Sequence, residues 1–258
     1  MSDDKTQEAL VGRQFGSQAA AYLTSAVHAQ GADLEALIAL VDAAANPRVL
    51  DLGCGGGHVS YGVAARAREV VAYDLSAQML EVVARAAAER GIANLVTQQG
   101  KVERLPYSDA SFDCVLSRYS AHHWRDFDAA LREAARVLKP GGLAGFVDAI
   151  SPGVPLLDTN IQAIELLRDP SHVRDYSRPE WEAAMIRAGL SPVATSAYRV
   201  RIDFASWVAR MRTPKVQIDA IRALQATMAE SVTQHFEIAA DGSFTLDVAL
   251  FRATKPRS

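Results

Sequence analysis

Apolar residues recur at three- and four-residue spacing through the first forty positions, at Phe15, Ala19, Tyr22 and Ala26 and then at Leu34, Leu37, Ile38 and Val41. The spacing predicts a helical arm over 6–40 with a break near Gln30-Gly31. Asn46-Pro47 ends the arm, because the residue before a proline is pushed out of the helical region. Short apolar runs then alternate with amphipathic stretches. Residues 49–52, 70–74, 95–98, 112–117 and 143–150 read as strands. Residues 58–67 and 126–138 read as helices, as does the stretch carrying Met79, Leu80, Val83 and Ala87. Ser76 suits the cap of that helix and Gly91 its exit, while Lys139-Pro-Gly-Gly142 stops the last one. Strands alternating with helices predict a parallel sheet with right-handed crossovers.

The rhythm changes after Ser151-Pro152-Gly153. A helical piece over 156–167 leads into a segment, 168–176, with no clear period. A helix over 178–188, a strand-like alternation over 192–204 and a helical insert over 205–231 follow. Residues 234–252 hold two strand-like runs around Asp241-Gly242, a hairpin signal. The implied organisation is an N-terminal helical lid, 1–45, and one domain, 46–258, with substrate-cap inserts at about 152–177 and 204–232.

Composition narrows the class. A chain of 258 residues, 49% hydrophobic, suits one large α/β domain with an ample core. Its 27 basic and 30 acidic residues leave a charge of −3, so no global field invites nucleic acid. Two cysteines, Cys54 and Cys114, build no disulfide framework, and no His/Cys group has zinc spacing, so no metal is expected. Reduced thiols point to the cytoplasm. The first eight residues are polar and partly acidic, unlike a signal peptide, and no apolar run is long enough for a membrane span.

Asp51-Leu-Gly-Cys-Gly-Gly-Gly57 falls where a strand turns into a helix. Glycines there let the backbone approach a ligand closely. Asp74, about twenty residues on, can hold two ribose hydroxyls with its two carboxylate oxygens. A dinucleotide-dependent oxidoreductase is the rival reading, but its fingerprint needs glycine where this chain has His58. Asp51, beside the glycines, is a poor neighbour for a pyrophosphate and a better one for a cationic ligand.

At this point Val49-Leu-Asp-Leu-Gly-Cys-Gly-Gly-Gly57 and Ala72-Tyr-Asp-Leu-Ser76 resemble two successive motifs of class I S-adenosylmethionine-dependent methyltransferases. Gly100-Lys-Val-Glu-Arg-Leu-Pro-Tyr107, Ser111-Phe-Asp113 and Ala134-Ala-Arg-Val-Leu-Lys-Pro-Gly-Gly142 continue the resemblance in the same order. The segment Phe15–Tyr22, Arg118 with His122-His123, and residues 168–176 are similar to the ubiquinone/menaquinone-biosynthesis-type (methyltransferase type 11) subgroup. The resemblance implies a Rossmann-like, doubly wound seven-stranded sheet with an antiparallel last strand and helical lid insertions. It implies S-adenosylmethionine as cofactor, S-adenosylhomocysteine as product, and a small-molecule acceptor methylated on carbon, oxygen or nitrogen.

Carried over by position, Gly53 and Gly55 match the loop along the methionine moiety, beside Asp51. Asp74 matches the ribose ligand, with Leu75 and Met79 lining the adenine. Lys101 and Val102 match the adenine-edge pair, although relatives carry a short polar residue where this chain has Lys101. Ser117 and Arg118 match the end of the fourth strand, and Tyr22 a lid tyrosine. His122 and His123, directly after that strand, are the candidate bases, and Asp148, near the end of the fifth strand, either faces the acceptor or serves a helix-cap or loop role. The inserts carry His172, Arg174, Trp207 and Met211, which suggest a lid over an anionic or enolic acceptor. A binding protein that keeps this fold without turnover is the second reading.

Overall fold

Seven strands form one sheet in the order β3-β2-β1-β4-β5-β7-β6 in a computed structural model that describes residues 6–16 and 31–257. The strands are β1 (Arg48–Leu52), β2 (Glu69–Asp74), β3 (Leu95–Gln99), β4 (Phe112–Arg118), β5 (Leu138–Ala149), β6 (Ser191–Ile202) and β7 (Phe244–Thr254). The first five run parallel, and β7 pairs antiparallel with both β5 and β6. Strand order reverses between β1 and β4, so a crevice opens at their carboxyl ends.

Ten α-helices are described: α1 (Gln7–Gly16), α2 (Ala32–Ala39), α3 (His58–Ala64), α4 (Ala77–Glu89), α5 (Phe127–Val137), α6 (Pro155–Arg168), α7 (Arg178–Arg187), α8 (Phe204–Arg210), α9 (Lys215–Thr227) and α10 (Glu230–His235). Ser76 accepts from the Met79 amide at the start of α4, and Asp126 from the Ala129 amide at the start of α5. These side chains satisfy amides that have no partner inside the helix.

Alternate strand residues feed two cores. Val49, Cys114, Leu116, Val147, Leu246 and Val248 pack on one face with α2, α3, α6 and α8. Leu50, Leu52, Val71, Phe146 and Phe251 pack on the other against α5 and α7. The hairpin expected at Asp241-Gly242 does not form. The run before it ends α10, and β7 pairs instead with β6, some forty residues earlier. Asp241 turns the chain by accepting from the Ser243 amide. The single helical insert expected over 205–231 is α8, α9 and the start of α10, divided near Thr213-Pro214 and Met228. Lys139–Gly142 lies inside β5 as a register shift opposite Phe112 and Cys114. No helix among the described residues is long and apolar enough to cross a membrane.

Candidate functional site

The loop after β1 is tied to the end of β2, because the Gly53 and Cys54 amides both donate to the Tyr73 carbonyl, at 2.8 and 3.0 Å. Gly53 and Gly55 sit at φ +66° and +49°. A Cβ on Gly53 would stand 1.8 Å from Ser120 Oγ, so only glycine fits there. A Cβ on Gly55 would meet nothing within 4 Å. The loop leaves room on that side.

That room belongs to one cavity. Asp51, Gly53, Gly55, Asp74, Leu75, Met79, Lys101, Val102 and Arg118 line it from the glycine loop outward. Asp74 accepts from the Gly55 amide at 3.0 Å and the Ser76 amide at 2.9 Å, which fixes its carboxylate at the end of β2. Asp51 is buried and accepts twice from Ser60 through Oδ2, at 2.6 and 3.1 Å, while its Oδ1 has no partner among the described residues. Burial raises the Asp51 pKa to about 7 against the pull of the Ser60 bonds. A cation brought beside it would restore the carboxylate.

Lys101 lines the cavity, but its ammonium is held by Glu8 of α1 at 2.8 Å. Arg118 lines it with its guanidinium 2.7 Å from Asp33, both side chains buried. Tyr119, the next residue, lies at φ +52°, an uncommon conformation for a side-chain-bearing residue, where the chain leaves β4 for the cavity.

The cavity continues from β4 to the inserts. His122 and His123 both line it. His122 Nδ1 lies 2.5 Å from the buried Asp148 carboxylate, whose other oxygen accepts from the His122 amide. Burial alone would lower the His122 pKa, but the Asp148 charge and hydrogen bond raise it to about 9. His123 is the opposite case. Its Nδ1–H donates to the Ser171 carbonyl at 3.1 Å, and burial together with the His122 charge lowers its pKa to about 4. The pair therefore divides into a charged and a neutral ring at neutral pH.

Several expected residues lie elsewhere. Ser117 is buried and donates to the Leu52 carbonyl at 2.7 Å, a link between β4 and β1 rather than a cavity contact. Arg174 pairs with Asp158 and Glu180 outside the cavity. His172 donates through Nε2 to Gln162 and stands behind His122, ring centres 5.8 Å apart. Met211 packs on Met79 without lining the cavity, whereas Trp207 does line it. Of the residues in segment 168–176, Arg174 and His172 therefore do not reach the cavity, whereas Arg168 lines it. Tyr22 falls outside the described residues.

Glu165 and Asp175 also line the cavity, together with Arg168 and Arg210, two members of the local basic excess that the sequence shows on the inserts. A signal was present for two of them. Glu165 and Arg168 share the buried stripe of α6 with Leu157, Ile161 and Ile164, and a charged residue on an apolar stripe marks a polar interior.

A strand-to-helix glycine loop, an acidic residue ending the next strand and an antiparallel seventh strand together define the fold of class I methyltransferases. The family model described as a methyltransferase domain matches residues 50–146. The chain is 47% identical over 203 residues to the uncharacterised protein YafE of Escherichia coli K12, covering 79% of this chain and 98% of that one. It is 38% identical over 200 residues to the uncharacterised methyltransferase YcgJ of Bacillus subtilis, covering 78% and 79%. The crystal structure of YcgJ superposes with a TM-score of 0.84 at 34% identity, over 88% of this chain and 99% of that one. A putative methyltransferase of Bacillus halodurans also scores 0.84, at 30% identity over 88% and 100%. The chain belongs to the class I methyltransferase family.

Proposed function

We propose that the protein is an S-adenosylmethionine-dependent methyltransferase acting on a small-molecule acceptor, with His122 and Asp148 handling the acceptor's proton. The observation that carries this reading is the continuity of one cavity from the Asp51–Asp74 end to the His122–Asp148 pair. The residues present fit the cofactor. Asp74 stands where ribose hydroxyls would be held, Gly55 leaves space along the loop, and Asp51 offers a buried carboxyl oxygen that has no partner among the described residues. Leu75, Met79 and the backbone at Val102 would enclose the adenine, with the Lys101 side chain turned to Glu8. The family membership sets the oxidoreductase alternative aside.

When bound, the cofactor would supply a methyl group activated by a sulfonium centre for in-line displacement. The chain's own task is then alignment, which can contribute roughly 7–11 kcal/mol when the reacting atoms are held in line. His122, oriented through Nδ1 by Asp148, would present Nε2 as the atom that takes a proton from an acceptor that must lose one. His123 is held as a neutral ring beside it. The first helix of the N-terminal arm, α1, would act as a lid, because Gln7, Glu8 and Val11 line the cavity.

Calorimetry with S-adenosylhomocysteine tests the cofactor half. The wild-type chain should bind, and Asp74→Ala should weaken binding by at least about tenfold, as loss of a charged hydrogen bond is worth about 1.5–3 kcal/mol. A folded Asp74→Ala protein with unchanged affinity would remove Asp74 from the cofactor site.

A further inference from the structure

The acceptor end of the cavity carries more acid than the proton-handling pair needs. Asp175 is buried, it lines the cavity, and its Oδ2 has no hydrogen-bond partner among the described residues. The backbone of Asp175 is held in place. The Asp175 amide donates to Gln162 Oε1 at 3.1 Å, and its carbonyl accepts from Gln162 Nε2 at 2.8 Å, so α6 fixes the residue on both sides.

The cations of this wall already have other carboxylates as partners, although the His122 charge also reaches Asp175. His122 is on Asp148 at 2.5 Å. Arg168 lies 3.6 Å from Glu165, donates to the Trp207 carbonyl and covers the Trp207 ring. The charge of Arg210 also acts on Glu165. Across from them the wall is apolar, formed by Val200 and Ile202 of β6 and Leu246 and Val248 of β7. A buried polar atom without a partner costs free energy, and one facing a ligand cavity is where a ligand can recover that cost.

Resting on the methyltransferase reading above, we propose that Asp175 is a specificity residue that selects an acceptor with an apolar body and a hydrogen-bond-donating head, an amine or a hydroxyl, and rejects a carboxylate. A donor head completes the bonding of Asp175. A carboxylate head would bring a third buried acid against Asp175 and Glu165 with the wall's cations already engaged. Burial, followed by the Glu165 charge, raises the Asp175 pKa well above its ordinary value.

Three probes of one shape test the proposal: benzylamine, benzyl alcohol and benzoate, titrated by ligand-observed NMR with and without S-adenosylhomocysteine. Binding of S-adenosylhomocysteine itself reports separately on the methyltransferase reading. Benzylamine should bind at least about tenfold tighter than benzoate, the worth of one charged hydrogen bond, with benzyl alcohol between them. Asp175→Asn should shrink the amine-over-carboxylate preference to within about threefold and leave S-adenosylhomocysteine affinity unchanged. Asp175→Ser carries the same expectation should the asparagine variant misfold. Benzoate binding as tightly as benzylamine, failure of all three probes to bind, or a preference that survives both substitutions would overturn the proposal. The amine and alcohol arms also separate the two kinds of head.

Discussion

His122 brings its own counter-charge in Asp148, and that pairing sets the pH at which it can accept a proton. A base must be neutral, and with a pKa near 9 about one ring in a hundred is neutral at pH 7. The sign follows directly. Activity on an acceptor that must be deprotonated should rise with pH, level off above about 9 and fall on acidification. Removing the partner with Asp148→Asn takes away the largest influence that raises the pKa and leaves those of Asp175 and Glu165, so the inflection should move to lower pH while the plateau drops. His122→Ala should lower turnover by about 10²-fold or more and leave S-adenosylhomocysteine affinity nearly intact. A pH–rate profile in Asp148→Asn that matches wild type would exclude the pair from the proton step. The position of His122 after β4 was readable from the sequence. Its charge state was not, because it depends on Asp148, twenty-six residues away, and on burial.

Among the elements, α1 makes polar contacts with four separate parts of the chain. Gln7 donates to the Ser171 carbonyl, Gln14 to the Met211 carbonyl, and Glu8 pairs with Lys101 and more loosely with Arg125. The Lys101 hydrogen bond lowers the Glu8 pKa to about 2, so this latch is intact above pH 4.5 and is lost as pH falls toward 2. Exposed pairs of this kind contribute less than about 1 kcal/mol. Glu8→Gln should therefore speed dissociation of S-adenosylhomocysteine by no more than about fivefold, read by stopped flow. An unchanged dissociation rate would mean that α1 does not gate the cavity. Element types were largely legible because buried stripes and alternations are local. The partner of a strand is not local. The runs flanking Asp241-Gly242 have the pattern of a hairpin, yet β7 finds its neighbour in β6 because the apolar positions of both strands can then face one core.

At the level of the whole molecule, the N-terminal part joins the sheet through α2. Gly145 of β5 lies beneath it so closely that a Cβ there would come within 2.7 Å of both Leu37 and Leu40 side chains. The fit brings Asp33, near the start of α2, to Arg118 at the end of β4, and the pair closes with side chains 6% and 4% exposed. Arg118 was legible from the sequence as a cavity residue. Its carboxylate partner, eighty-five positions away, emerges only from the packing of arm on sheet. Removing one member of such a buried pair takes the ion-pair partner from the other, a loss of about 3–5 kcal/mol. In a chain of this length about 1 kcal/mol corresponds to roughly 2–4 °C, so Asp33→Ala should lower the melting temperature by roughly 6–20 °C. Replacing both with apolar residues of similar volume, Asp33→Leu with Arg118→Met, should melt closer to the parent than either single variant, because no charge is then stranded. Simple addition of the two single losses in the double variant would show that the ion pair is not what couples α2 to the sheet.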